Sequence, residues 1–150
     1  MISVDFDFNK ILLKLDKITH AAESAVRPAA QAGAQVFYDE ARVRCPVSDE
    51  AHFFYGSNSK KSGVRYYFQP GNLRDSIYQF YNKRDSSNNR NAVYSISWNH
   101  QKAPYGYMVE YGTSRAPASP FLRPAYDAAK GLAVQRVKDV LQSSVKAATT

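Results

Sequence analysis

Three histidines, one cysteine and one glutamate set among aromatic residues are the side chains of this chain that could do chemistry. Histidine and cysteine could hold a metal or activate a nucleophile, and a glutamate in an apolar setting could carry a shifted pKa. The spacing does not favour the first two uses. His20, His52 and His100 are far apart, and none stands at a metal-ligand spacing from Cys45 or from another histidine. Ser, His and Asp are all present, so a triad stays open, but no nucleophile motif marks one. There is no Gly-rich phosphate loop and no Walker lysine. No catalytic residue, metal site or cofactor is expected. Glu110 is the acid in the aromatic setting, and its expected role is an ion pair with Arg115 or Arg123.

The stretch that must position Glu110 reads as a rigid elbow. An aromatic-rich turn ends at Tyr111-Gly112-Thr113. A loop with Pro117 and Pro120 follows, and Phe121-Leu122-Arg123-Pro124 opens a long helix. Gly112 can take a positive φ and stop the turn sharply. The prolines fix φ and push the residue before each toward extended geometry. Pro124 suits the first turn of a helix, where its missing N–H is not needed, so regular helix is expected from near Arg123. Phe121 reads as an anchor, in the core or at an interface. An arginine at a helix start opposes the dipole, so Arg123 needs a partner to hold it.

Around the elbow the pattern predicts an α+β domain of N-terminal helices, an antiparallel sheet of three to five strands and a C-terminal helix packed on the sheet. Residues 7–44 read as helix. Phe8, Ile11, Leu12, Leu15, Ile18 and Ala22 form one stripe, and Asp5 or Asp7 can cap its start. Pro28 either kinks this helix or restarts it. Val26, Ala30, Gly33, Phe37 and Ala41 continue a stripe of mostly small residues, and Cys45-Pro46 ends the section. Candidate strands are 64–68, 75–82 and 92–98, the last alternating cleanly. Polar loops are expected over 55–63 and 85–91. Residues 101–122 form the elbow loop and 123–146 the last helix, with 147–150 expected to fray. The whole reads as one domain.

Two stretches carry a resemblance. Met108-Val109-Glu110-Tyr111-Gly112-Thr113, then Pro120-Phe121-Leu122-Arg123-Pro124-Ala125, is similar to a pattern in minor tail and neck components of long-tailed, siphovirus-type bacteriophages and their prophages. Gly71-Asn72-Leu73-Arg74-Asp75-Ser76-Ile77 resembles a second piece of that pattern, so Gly71, Leu73, Arg74, Ser76 and Ile77 join the candidate residues. The chain departs from shorter members by about two dozen Tyr- and Phe-rich residues between Cys45-Pro46-Val47 and Pro70-Gly71. The resemblance implies a structural tail-completion or head–tail joining protein. It would form a hexameric or related ring between the head connector and the tail terminator or tail tube, with DNA passing through without sequence specificity. The virion, and the host cytoplasm during assembly, are the places this implies.

Composition agrees with one compact body and leaves a second reading open. No apolar run approaches the ~20 residues of a membrane span. The N-terminus lacks a signal-peptide pattern, and the lone Cys45 allows no internal disulfide, which fits a reducing compartment. Twenty Lys and Arg stand against thirteen Asp and Glu, but they are scattered. Of twenty aromatic residues, eleven of them Tyr, many cluster over Phe53–Tyr81 and in the elbow. They could form a Tyr-rich core, a protein interface or a stacking surface for single-stranded nucleic acid. The alternative function is therefore a small basic nucleic-acid-binding protein using the Tyr-rich sheet.

Overall fold

A computed structural model describes residues 7–56, 59–87 and 89–150. The order is α1 (Phe8–Arg44), β1 (His52–Phe54), α2 (Ser59–Ser62), β2 (Tyr66–Phe68), α3 (Asn72–Asp75), β3 (Ile77–Tyr81), β4 (Tyr94–Trp98), α4 (Gly106–Tyr111) and α5 (Leu122–Thr149). The class is α+β, with a long helix at each end and short antiparallel pairs between them.

Several details correct the sequence reading. The N-terminal section is one helix of 37 residues that continues through Pro28. Asp7 caps it by accepting the Lys10 N–H, while Asp5 lies outside the described residues. The four strands form two separate ladders, β1–β2 and β3–β4, instead of one sheet. The expected loop over 55–63 contains the single turn α2, and its residues 57–58 lie outside the described chain, as does Asn88 in the 85–91 loop. The elbow contains a helix, α4, that was read as a turn. The end expected to fray stays helical to Thr149.

The two long helices are the frame. Gly33 of α1 faces the Val137 side chain and the Ala133 carbonyl of α5, and Phe37 stacks on Tyr126 with ring centroids 5.4 Å apart. Rising numbers on α1 meet falling numbers on α5, so the helices are antiparallel. Ala25, Ala29, Ala34 and Ala41 are buried on α1, and Ala125, Ala129 and Ala133 on α5. A Cβ on Gly33 would lie 2.7 Å from Val137 Cγ2, so this seam is closed by the absence of side chain. Counting from Ala133 at 1.5 Å per residue, α5 ends beside about residue 17 of α1. The first turns of α1 therefore overhang, and Ile11, Leu12 and Leu15 of the expected core stripe are exposed.

The larger core sits where the elbow meets the β3–β4 ladder. Cys45, Leu73, Ile77, Trp98, Ala103 and Phe121 form one buried cluster, with Tyr38, Ile96, Tyr105, Val109 and Leu122 packed against it. Phe121 is fully buried and meets Trp98 edge-on at 5.9 Å. Of the two roles open to Phe121, the structure assigns the core. Phe121→Ala should therefore cost about 3–5 kcal/mol of stability. Thermal unfolding should show a midpoint lower by roughly 10 °C. A midpoint unmoved by that change would contradict the packing.

Candidate functional site

Glu110 lies on the last turn of α4, and the chain reverses directly after it. Gly112 ends α4 at φ 77° and ψ 177°, a region that is close to glycine-only. Its N–H donates to the Met108 carbonyl at 2.8 Å. Thr113 then organises a tight turn: its Oγ1 accepts the Arg115 and Ala116 N–H groups, and its own N–H donates to the Ala116 carbonyl. The Ser119 N–H donates to the Val109 carbonyl at 2.8 Å, which lays the returning strand of loop against α4. A Cβ on Gly112 would meet the Ala118 nitrogen at 2.7 Å, so the close return and the positive φ both require glycine.

This reversal aims the Glu110 carboxylate at the start of α5. Its Oε2 accepts the N–H of Phe121 at 2.7 Å and of Leu122 at 3.1 Å, and its Oε1 accepts the N–H of Arg123 at 3.2 Å. The Arg123 Nε donates to Oε1 at 3.1 Å, and the same guanidinium donates to the Glu110 backbone carbonyl at 2.8 Å. The N-cap residue Phe121 offers no side-chain cap, so a residue on another helix does that work. A carboxylate also complements the positive end of the helix dipole. Glu110 is 2% exposed. Burial alone would push its pKa up, but the three N–H donors and the Arg123 guanidinium outweigh that and hold it below the ordinary glutamate value. Arg123 also lies over the Tyr111 ring at 4.8 Å. The partner the dipole argument demanded for Arg123 is thus within the chain.

The second candidate stretch meets the first in the core. Gly71 opens α3 in the left-handed region at φ 81°. Leu73 and Ile77 pack in the cluster that holds Phe121. The Ser76 hydroxyl donates to the Leu73 carbonyl at 2.7 Å, which closes the turn into β3. Arg74 points outward and pairs with Asp75, which also meets Arg42 of α1. The Arg74 hydrogen bond, aided by the positive charge of Arg42, lowers the Asp75 pKa. Arg115 does not pair with Glu110; it is exposed at the tip of the turn. Pro120, Arg123 and Pro124 border a shallow surface depression with Arg44 and Asp127.

The other reactive side chains stay apart. Among the described residues no three His, Cys, Asp or Glu side chains are placed to hold a metal. Cys45 is buried, and desolvation pushes its thiol up to about 12. His52 packs between Phe68 and Tyr105, and its buried Nδ1 has no partner. His100 lies against Trp98. Sequence reasoning did not single out Trp98, Ala103, Tyr105 or Gly106. A signal was present in Gly106, where only a residue without Cβ lets α4 cross the Trp98 indole. The elbow, α3 and β1 enclose a cavity of about 490 Å³ reaching His52, Asn72, Tyr105 and Thr113.

Two substitutions test this geometry. Because the folded pKa of Glu110 lies below the unfolded one, its contribution is complete above the ordinary glutamate range near 4.3 and is lost as pH falls through the folded value. Glu110→Gln should lower stability at pH 7 by about 1–3 kcal/mol, as expected when the charge-assisted hydrogen bonds to the start of α5 are weakened. The variant should then lose less further stability than the native chain between about pH 5 and pH 2. Denaturant midpoints across that range check both effects. Gly112→Val should cost about 1–3 kcal/mol from backbone strain, more once the Ala118 contact is counted. An unchanged midpoint would contradict the turn geometry. Comparison with protein-family models, with curated proteins and with solved structures finds no match to this chain.

Proposed function

We propose that this chain is a structural neck or tail-completion protein of a long-tailed bacteriophage or prophage. It acts by assembly: copies form a ring that joins the tail to the head connector, and packaged DNA passes through. Its partners on this reading are further copies of itself, a head-connector protein and a tail-terminator or tail-tube protein. It works in the virion, after synthesis in the host cytoplasm, and it carries no catalytic residue or cofactor.

The observation that carries the reading is the convergence of the two resembling stretches on one feature. Leu73 and Ile77 pack in the cluster that holds Phe121, and Glu110 ties α4 to Phe121, Leu122 and Arg123. A motif that spans two distant stretches and forms one rigid joint is what a part built to hold a fixed shape needs. The surface supports the same reading. Phe53, Tyr67, Tyr78, Phe80, Tyr107 and Tyr111 are all exposed. Aromatic residues of this kind favour protein interfaces.

A second reading, nucleic-acid binding by the free protein, has one observation behind it. Residues 51–73 contain Lys60, Lys61 and Arg65 and no acid, and Phe53, Tyr55, Tyr66 and Tyr67 of that stretch are exposed. Salt-dependent affinity of the free protein for single-stranded DNA would favour it. The test of the first reading is genetic. A phage or prophage lacking this chain should yield filled heads and tails that fail to join, or tails that end improperly, and supplying the purified protein should restore joining. Normal infectious particles without the chain would reject it.

A further inference from the structure

The β3–β4 ladder leaves one edge of β4 open. The Asn82 N–H donates to the Val93 carbonyl and the Asn99 N–H to the Ser76 carbonyl, one at each end of the ladder. Bonded and unbonded pairs alternate in an antiparallel ladder. Tyr94 and Ile96 therefore fall in unbonded pairs and turn their backbone N–H and C=O groups away from β3. Among the described residues no backbone group meets them on that side. A groove of about 640 Å³ runs along this edge. Gly33 and Phe37 of α1 lie along its floor, β4 forms one wall, and Ala133 and Val137 of α5 line the other. A second cavity of about 280 Å³ shares Phe37, Tyr94, Ile96 and Tyr126 with it and continues it toward Leu122. The groove is thus a trough between β4 and α5 with α1 beneath. Lys130 and Lys138 border it from α5, and no acidic residue lines either cavity.

An open strand edge beside an apolar trough is the geometry of strand addition: main-chain bonds supply affinity and alternate side chains fill the pockets. We propose that the trough takes residues 2–6 of a second copy of this chain, paired as a third strand on the open edge of β4. Ile2, Val4 and Phe6 alternate with Ser3 and Asp5. That is the period of a strand with one apolar face and one polar face. The apolar face fits the floor of the trough, and Asp5 complements the lysine rim. Reach decides between the same copy and another. Ala30, at one end of the floor, lies about six turns and about 33 Å along α1 from Phe8. The seven residues before Phe8 span at most about 25 Å fully extended. A chain therefore cannot lay its own residues 2–6 in its own trough, and the occupant comes from a neighbour. Such a contact is head-to-tail and continues from copy to copy, closing into a ring where the rotation allows. The proposal rests on the reading that the chain assembles with copies of itself, and it names the contact.

Cross-linking in the full-length protein tests it. Single substitutions Val4→Cys and Val134→Cys are made in separate chains, mixed at high concentration and oxidised with copper phenanthroline. Val134 lines the trough and is exposed, so its replacement leaves the core intact. The native Cys45 is buried and does not compete. The mixture should give a disulfide-linked dimer about tenfold more abundant than Val4→Cys mixed with Gln142→Cys. Amide exchange gives the second readout. The Tyr94 and Ile96 N–H groups should slow about tenfold as the native protein is concentrated, and Val4→Asp should abolish that slowing. Equal cross-linking in both mixtures would overturn the proposal. So would Tyr94 and Ile96 protection that survives Val4→Asp, because the trough would then hold something else. A native chain whose Tyr94 and Ile96 exchange does not change with concentration would overturn it as well. A cross-link that forms while head–tail joining is unaffected by loss of the chain would reject the neck reading and leave this contact standing.

Discussion

A single buried carboxylate decides where the longest straight element after α1 begins. The 28-residue α5 starts without a cap of its own, and Pro124 removes one N–H from its first turn. Glu110 accepts the Phe121, Leu122 and Arg123 N–H groups, so the exposed cost of a helix start becomes a bond between α4 and α5. Burying a charge is unfavourable unless it is fully hydrogen-bonded, and here it is. Phe121 depends on the same bond. Its N–H is held at 2.7 Å, which sets the ring against Trp98, and Trp98 in turn sits under Gly106 of α4. The joint is closed on itself: each part fixes the next. Arg123 is more than half exposed, so its guanidinium orients the carboxylate and adds little as an ion pair on its own.

That joint was the most legible part of the sequence, and the reason is local. Glycine at a positive φ, proline in a first turn and an acid facing an arginine are statements about a few adjacent residues, and each has few solutions. Gly112, Pro124 and the Glu110–Arg123 pair are all placed as those rules require. Longer-range features were harder to read. Three of the four strand segments were located and β1 was not; alternation says which face is apolar and nothing about which strand is the neighbour, so two ladders were read as one sheet. α4 was missed because six residues are too few for a helical period to show. Pro28 offered two outcomes from the same local chemistry, and packing of α1 along α5 chose the continuous helix. The stripe at the start of α1 was correctly periodic, yet period alone does not say whether another element is long enough to cover it.

The helix pair explains why so much apolar surface remains outside. Alanine and glycine fill the α1–α5 seam, and close approach of the two backbones leaves little room for larger side chains. The bulky residues of these helices therefore lie beside the seam or beyond its end: Tyr126 and Val134 on α5, Ile11, Leu12 and Leu15 on α1. A seam of small residues stabilises through packing of backbone against backbone and less through burial of side-chain area. The remaining hydrophobic surface stays exposed, and contiguous exposed apolar patches commonly mark contact sites.

On the proposed reading, rigidity and association are carried by different residues. Glu110 and Phe121 are buried within the chain, and Gly112 serves through its backbone conformation. The residues that do face outward around the joint are Tyr111, Arg115 and the guanidinium of Arg123. A partner docking there would meet side chains whose backbone is already fixed, so little ordering cost would be added on binding. The trough between β4 and α5 differs in kind, because what it offers is unpaired backbone beside apolar floor. The first surface can recognise shape and charge; the second can take in a strand. If the chain assembles as proposed, the first surface would fix the angle to a neighbour and the second would hold it.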